Sequence, residues 1–184
     1  MKINHLVGIC ALLLLSQQTL AACSKHDWQQ LIKHADTPTV NNYIRNQNCN
    51  IDQSLDDVSK TPLIYAIEAR NRAAVQALLQ AGANPNIDGY DGNTPLFYAI
   101  ATKDMDIVQV LIAKGADVNA ATRMSEITVL MVAVLDSSPG IVAYLVAHGA
   151  SVDDVDKYNH KAMDYVLKLP PNRRVEMRAA LNRH

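Results

Sequence analysis

The chain has 184 residues, of which 49% are hydrophobic and 19% charged, with a formal net charge of -1. That balance gives no long-range attraction to phosphate of the kind a nucleic-acid-binding surface relies on. A half-hydrophobic chain of this length is also long enough to bury one continuous core.

Met1-Lys2 and His5 precede an apolar run from Leu6 to Leu15, followed by polar Ser16 to Thr19 and the small pair Ala21-Ala22. This order reads as a secretory signal peptide over residues 1–22. The apolar run is well short of the roughly 20 residues that span a bilayer, so no transmembrane anchor is expected. Leu20-Ala21-Ala22-Cys23 also has the form of a bacterial lipobox, which would leave a lipid anchor on Cys23. The polar spacer favours ordinary cleavage and a soluble product. The periplasm is the expected destination, with an outer-membrane lipoprotein or a secreted protein as the alternatives.

Residues 23–184 form one domain on this reading. Trp28, Leu31 and Ile32, then Val40, Tyr43 and Ile44, draw two apolar helical stripes, and Asn50-Ile51-Asp52 closes a first, irregular unit at about 24–56. Cys23 stands just before the first of these helices and Cys49 just after the second, at the same end of a hairpin. A Cys23–Cys49 disulfide is therefore expected in an oxidising compartment, and it would exclude lipidation of Cys23. Closing that loop would add roughly 3 kcal/mol on the chain-entropy account.

Thr61-Pro62-Leu63-Ile64-Tyr65-Ala66-Ile67 then recurs as Thr94-Pro95-Leu96-Phe97-Tyr98-Ala99-Ile100, a period of 33 residues kept by Gly82 and Gly115 and by Asn86 and Asn119. The threonine caps a helix, and the proline fits its first position, where no amide donor is needed. Leu63, Ala66 and Ile67 make one stripe and Val75, Leu78 and Leu79 a second, so each unit is an antiparallel helix pair. Gly82 and Gly115 fall where the second helix ends. Units at about 57–88 and 89–121 follow, then 122–155 with a loop one residue longer. A polar closing unit at about 156–184 has its second helix at Val175 to Leu181, after Pro170-Pro171. Its Arg173, Arg174, Arg178 and Arg183 read as a solvated face.

The Thr-Pro-Leu-x-x-Ala phrase, the pairs Leu78-Leu79 and Leu111-Ile112, and the turns Gly82-Ala83-Asn84-Pro85-Asn86 and Gly115-Ala116-Asp117-Val118-Asn119 resemble the ankyrin repeat family. The resemblance covers most of the chain beyond its first twenty or so residues. It implies an all-α solenoid of about five helix-turn-helix units with short loops and β-turn fingers. The histidine usual after Thr-Pro-Leu is replaced by Ile64, Phe97, Met131 and Asp164, and the usual Gly-His between helices is absent. Packing is expected to compensate.

What the resemblance implies about function is recognition of a protein by a concave face of inner helices and fingers. The family's variable positions fall here on Asp57, Lys60 and Glu68; on Tyr90, Asp91, Asn93 and Thr102; on Arg123, Met124, Ser125, Glu126 and Ile127 of the longer loop; on Leu135 and Asp136; and on Lys157, Tyr158 and His160. Tyr90, Arg123, Met124 and Tyr158 are of the types that anchor protein interfaces. Met124 and Tyr158 have two courses open, outward to a partner or down onto the neighbouring loop.

No motif indicates an enzyme, cofactor or metal. The acidic runs Asp153-Asp154-Val155-Asp156 and Asp52 with Asp56-Asp57 lack the spacing of a calcium loop. The histidines are scattered, and no serine stands in a nucleophile motif. The expectation is an exported bacterial protein-binding module that neutralises an envelope hydrolase or toxin as an immunity protein. The alternatives are a periplasmic scaffold or stress-protection factor, or an effector that binds a host protein.

Overall fold

The computed structural model of the protein describes residues 24–34, 37–47, 50–57, 59–89 and 92–182. Among these, ten helices follow one another in pairs: α1 (Lys25–His34) and α2 (Thr37–Gln47), α3 (Pro62–Glu68) and α4 (Arg72–Gln80), α5 (Pro95–Thr102) and α6 (Met105–Ala113), α7 (Val129–Asp136) and α8 (Pro139–Ala147), α9 (Ala162–Val166) and α10 (Pro171–Leu181). The first helix of each pair packs on the first helix of the next, giving an inner layer α1, α3, α5, α7, α9. An outer layer backs it, in which α2 meets α4, α4 meets α6, and α8 meets α10.

The helices begin where the sequence places their caps. Thr61 and Thr128 side chains accept the Ile64 and Met131 amides, Asn71 accepts that of Ala74, and Ser138 that of Ile141. Thr94 caps by backbone conformation alone, and its hydroxyl is buried without a hydrogen-bond partner. In the closing unit lysine stands where threonine does elsewhere. There Asp164 accepts the Lys161 amide at 2.8 Å and restores the missing cap from the other side.

One core runs through the stack. Leu63, Ala66 and Ile67 of α3 and Val75, Leu78 and Leu79 of α4 are buried, as are Leu96, Ile100, Leu111, Leu130, Val134, Leu145 and Val166. Trp28 is fully buried in the first unit, edge-on to Tyr43 at 5.3 Å. Packing does replace the absent histidine. Ile64 and Met131 are completely buried and Phe97 nearly so, and the Met131 sulfur accepts the Thr128 amide at 3.4 Å.

Gly115, at φ +87, turns the chain out of α6 as Gly82, at φ +98, turns it out of α4, in a left-handed region that penalises any side chain. The turns beyond are stapled unit to unit. Asp52 accepts the Asn84 amide, Asn86 the Asp117 amide and Asn119 the Ser151 amide, while the Asn86 and Asn119 side-chain amides donate to the Gly115 and Gly149 carbonyls. Because the staples recur at nearly the sequence period, every junction but the last repeats the same bond.

The opposite end of the stack is stitched by different residues. Asn71 donates to the Ile32 carbonyl, Arg70 to that of Thr102, and Arg72 pairs with Asp104 and Asp106. The closing unit departs from the sequence reading here. α10 starts at Pro171, four residues ahead of Val175, because that proline supplies a ready first-turn conformation. Arg173 and Arg174 are not a solvated face either: Arg173 donates to the Leu135 and Ser137 carbonyls, and Arg174 to those of Leu169 and Leu167. Helix ends leave carbonyls without partners, and guanidinium forks satisfy them.

Candidate functional site

The loops between units close into fingers through short backbone ladders. Thr122 N–H donates to the Ile127 carbonyl, Gly89 N–H to that of Asn93, and Asp156 N–H to that of His160. Isolated antiparallel bridges join Ala121 to Thr128 and Val155 to Lys161. In the fourth finger the longer loop is held by Thr122, whose hydroxyl also accepts the Ile127 amide at 3.1 Å. Glu126 takes φ +55 there, and Asn159 takes φ +64 in the fifth finger.

Arg123, Met124, Glu126, Lys157, Tyr158 and His160 come together on these two adjacent fingers, which the Lys157 amide joins directly by donating to the Ser125 carbonyl at 3.1 Å. Met124 is 79% exposed and Tyr158 67%, so of the two courses open to them both take the outward one. Val155 of the fifth finger is 38% exposed, and Lys157 Nζ lies 5.1 Å from the centre of the Tyr158 ring. Arg123 pairs with Asp88 at 2.5 Å, and this link ties the fourth finger back to the third. Gly92 lies under it: a Cβ there would stand 2.6 Å from Arg123 Cγ.

The fifth finger is built on Asp156, 3% exposed. Its carboxylate accepts the Tyr158 and His160 amides at 2.8 and 2.9 Å and the Tyr165 hydroxyl at 2.6 Å, and contacts His160 Nδ1 at 3.3 Å. Burial alone would raise this carboxyl, but the Tyr165 hydroxyl and the amides outweigh it and hold the group well below the usual carboxylate range. Burial and the same carboxylate push the Tyr165 phenol up to about 12. Asp56 and Tyr65 repeat the pairing one end away, at 2.7 Å, with Asp56 also accepting the Lys60 amide and Tyr65 pushed up to about 12 by burial and by Asp56.

The other expected contact residues spread along the stack. Asp57 and Asp136 are exposed, and Asn93 is half-buried at a finger base. Lys60 and Glu68 pair with each other at 2.6 Å, Thr102 donates to the Ala99 carbonyl, and Leu135 is half-buried with its carbonyl taken by Arg173. Tyr90, Asp91, Cys23 and Cys49 lie outside the described residues. Val155, Asp88, Asp156 and Tyr165 were missed in sequence. Alignment of the units on their helix starts carries a signal for the last two, an aspartate standing nine residues before the inner-helix tyrosine of both the second and the fifth units.

Among the described residues no group of histidine, cysteine, aspartate or glutamate is arranged to hold a metal ion, and no helix is long and apolar enough to cross a membrane. A rigid stack of helix pairs with projecting, mutually bonded fingers defines a protein-interaction scaffold. Family models match over most of the chain: ankyrin repeats in three copies over residues 28–122, and a further ankyrin repeat over residues 125–157. The chain belongs to the ankyrin repeat family, whose fold is in general a non-catalytic protein-binding module. Comparison with curated proteins gives no match.

Proposed function

We propose that this protein is exported and that its fourth and fifth fingers grip another envelope protein, in the strongest form a hydrolase or toxin that it neutralises to protect the producing cell. Export rests on the charged start, the short apolar run and the small-residue site over residues 1–22. The observation that carries the binding face is the exposure of Met124, Val155 and Tyr158 on these two fingers, three of the five large hydrophobic side chains that stand exposed among the described residues. Exposed apolar groups gathered on adjacent loops mark contact surfaces.

Arg123, Glu126 and Lys157 on the same fingers supply a polar rim. Because the two fingers are bonded to each other, the fifth anchored on Asp156 and the fourth closed by Thr122, little order has to be gained on binding, which favours a tight complex. Occluding a hydrolase needs only such a shaped, stiff surface. No turnover is required of this chain.

Capture from periplasmic extract with the tagged protein tests the reading, comparing wild type with M124S/Y158S by mass spectrometry. One hydrolase or toxin held by wild type and released by the variant is the expected result. Equal retention by both proteins removes the finger face. Retention of several structural envelope proteins favours the scaffold role instead.

A further inference from the structure

The sequence holds six methionines, and the fold treats them unequally. Met131 of α7 and Met177 of α10 are completely buried, and the Met131 sulfur is further engaged by the Thr128 amide. Met105 at the start of α6 and Met163 of α9 are half-buried and packed against the core. Met124 stands apart from these: it is 79% exposed on the fourth finger and takes no part in the core. Met1 lies outside the described residues.

A thioether has no proton to lose, so access of the oxidant decides which sulfur reacts. With a peroxide, the sulfur lone pair attacks one oxygen, an S–O bond forms as the O–O bond breaks, and the proton of the attacked oxygen passes to the departing one, which leaves as water or an alcohol. Sulfur gives up two electrons and the peroxide takes them. In a buried methionine the polar product disrupts packing. At Met124 the finger is closed by bonds that do not involve this side chain: Thr122 N–H to the Ile127 carbonyl, Glu126 N–H to the Thr122 carbonyl, and Lys157 N–H to the Ser125 carbonyl. Oxidation there changes the surface of the finger and leaves its backbone bonds in place.

We propose that Met124 is a reversible oxidation site for peroxides and that its sulfoxide loosens the grip of the fourth finger. The site stands on the exposure of this one sulfur; the loosening rests on the proposed role of the fingers and adds its regulation. A flexible apolar side chain sheds water readily on contact, whereas a sulfoxide oxygen buried against a partner needs a hydrogen-bond donor that a surface fitted to methionine does not offer. Methionine sulfoxide reductases reverse the change: two thiols are oxidised to a disulfide, and the oxygen leaves as water. The same finger thus alternates between an apolar and a polar tip without refolding.

Peptide mapping of the folded protein after brief hydrogen peroxide treatment reads the sulfoxide at each methionine. Met124 is expected to oxidise at least about tenfold faster than Met105, Met131, Met163 or Met177, with circular dichroism unchanged and the sulfide restored by the reductases with dithiothreitol. A rate no higher than that of Met105 and Met163, or a sulfoxide that the reductases leave in place, overturns the site. Oxidised wild type should hold its captured partner about tenfold more weakly, and so should unoxidised M124Q, whose amide resembles the sulfoxide in size and polarity. Oxidised M105L/M163L should lose as much, since the half-buried sulfurs play no part; full retention by it, or by oxidised wild type, overturns the loosening. If Met124 oxidises first while M124S/Y158S keeps the partner, the finger reading falls and the oxidation site stands. Slow oxidation of Met124 together with release by M124S/Y158S removes the site and keeps the fingers.

Discussion

Asp156 shows how one side chain shapes a finger. Its folded-state carboxyl is held below the ordinary carboxylate range, so the stabilisation is complete above the unfolded value of about 4 and is lost as pH falls below it. Asp156→Asn should therefore lower the melting temperature at pH 7, and the gap to wild type should narrow on acidification below about pH 4. A gap that stays constant with pH would contradict the assignment. Backbone strain gives a second prediction. Ser59 is exposed at φ +58, so Ser59→Gly should stabilise by about 0.5–1 kcal/mol in urea denaturation. Gly92→Ala should do the opposite, because it adds an atom against Arg123 and loosens the Asp88 pair. Residues of this kind are hard to read from a sequence. Asp156 sits in a run of acids that looks like an ordinary polar turn, and only its pairing with Tyr165 in three dimensions sets it apart.

At the level of the element, the helix-opening threonines look identical in sequence but differ in what they contribute. Thr128 accepts the Met131 amide, whereas the buried Thr94 hydroxyl has no partner. Thr128→Val should cost about 1 kcal/mol and Thr94→Val close to nothing, measured by thermal or urea unfolding. Helix existence, order and pairing were legible because Thr-Pro starts, glycine stops and apolar stripes are local signals. The start of α10 was not, since Pro171 follows another proline and the pair reads as an interruption, although the second proline fits a first turn. The roles of Arg173 and Arg174 were equally hidden, because their carbonyl partners include Leu135 and Ser137 on a different unit.

For the whole molecule, stability and function both depend on how neighbouring units are coupled. A solenoid's cooperativity resides in its junctions. Asn119 bridges two units through the Ser151 amide and the Gly149 carbonyl. Asn119→Ala should lower the urea midpoint by the equivalent of about 1–2 kcal/mol and broaden the transition as the last units separate from the rest. A sharp, unshifted transition would show the staple to be idle. The repeat architecture was readable from the 33-residue period, and so was the position of the loops that project between units. Which of their side chains stand exposed was not, since exposure of Met124 and Tyr158 depends on how two loops lie against each other, which a bond from Lys157 to Ser125 decides.

The central claim is that the fourth and fifth fingers are the gripping surface. Hydrogen exchange on the complex with whatever protein partner is captured tests this most directly. The account predicts new protection of amides in 122–127 and 155–160, with the outer helices α4, α6 and α8 unchanged. Protection confined to those outer helices, with both fingers exchanging as in the free protein, would contradict it.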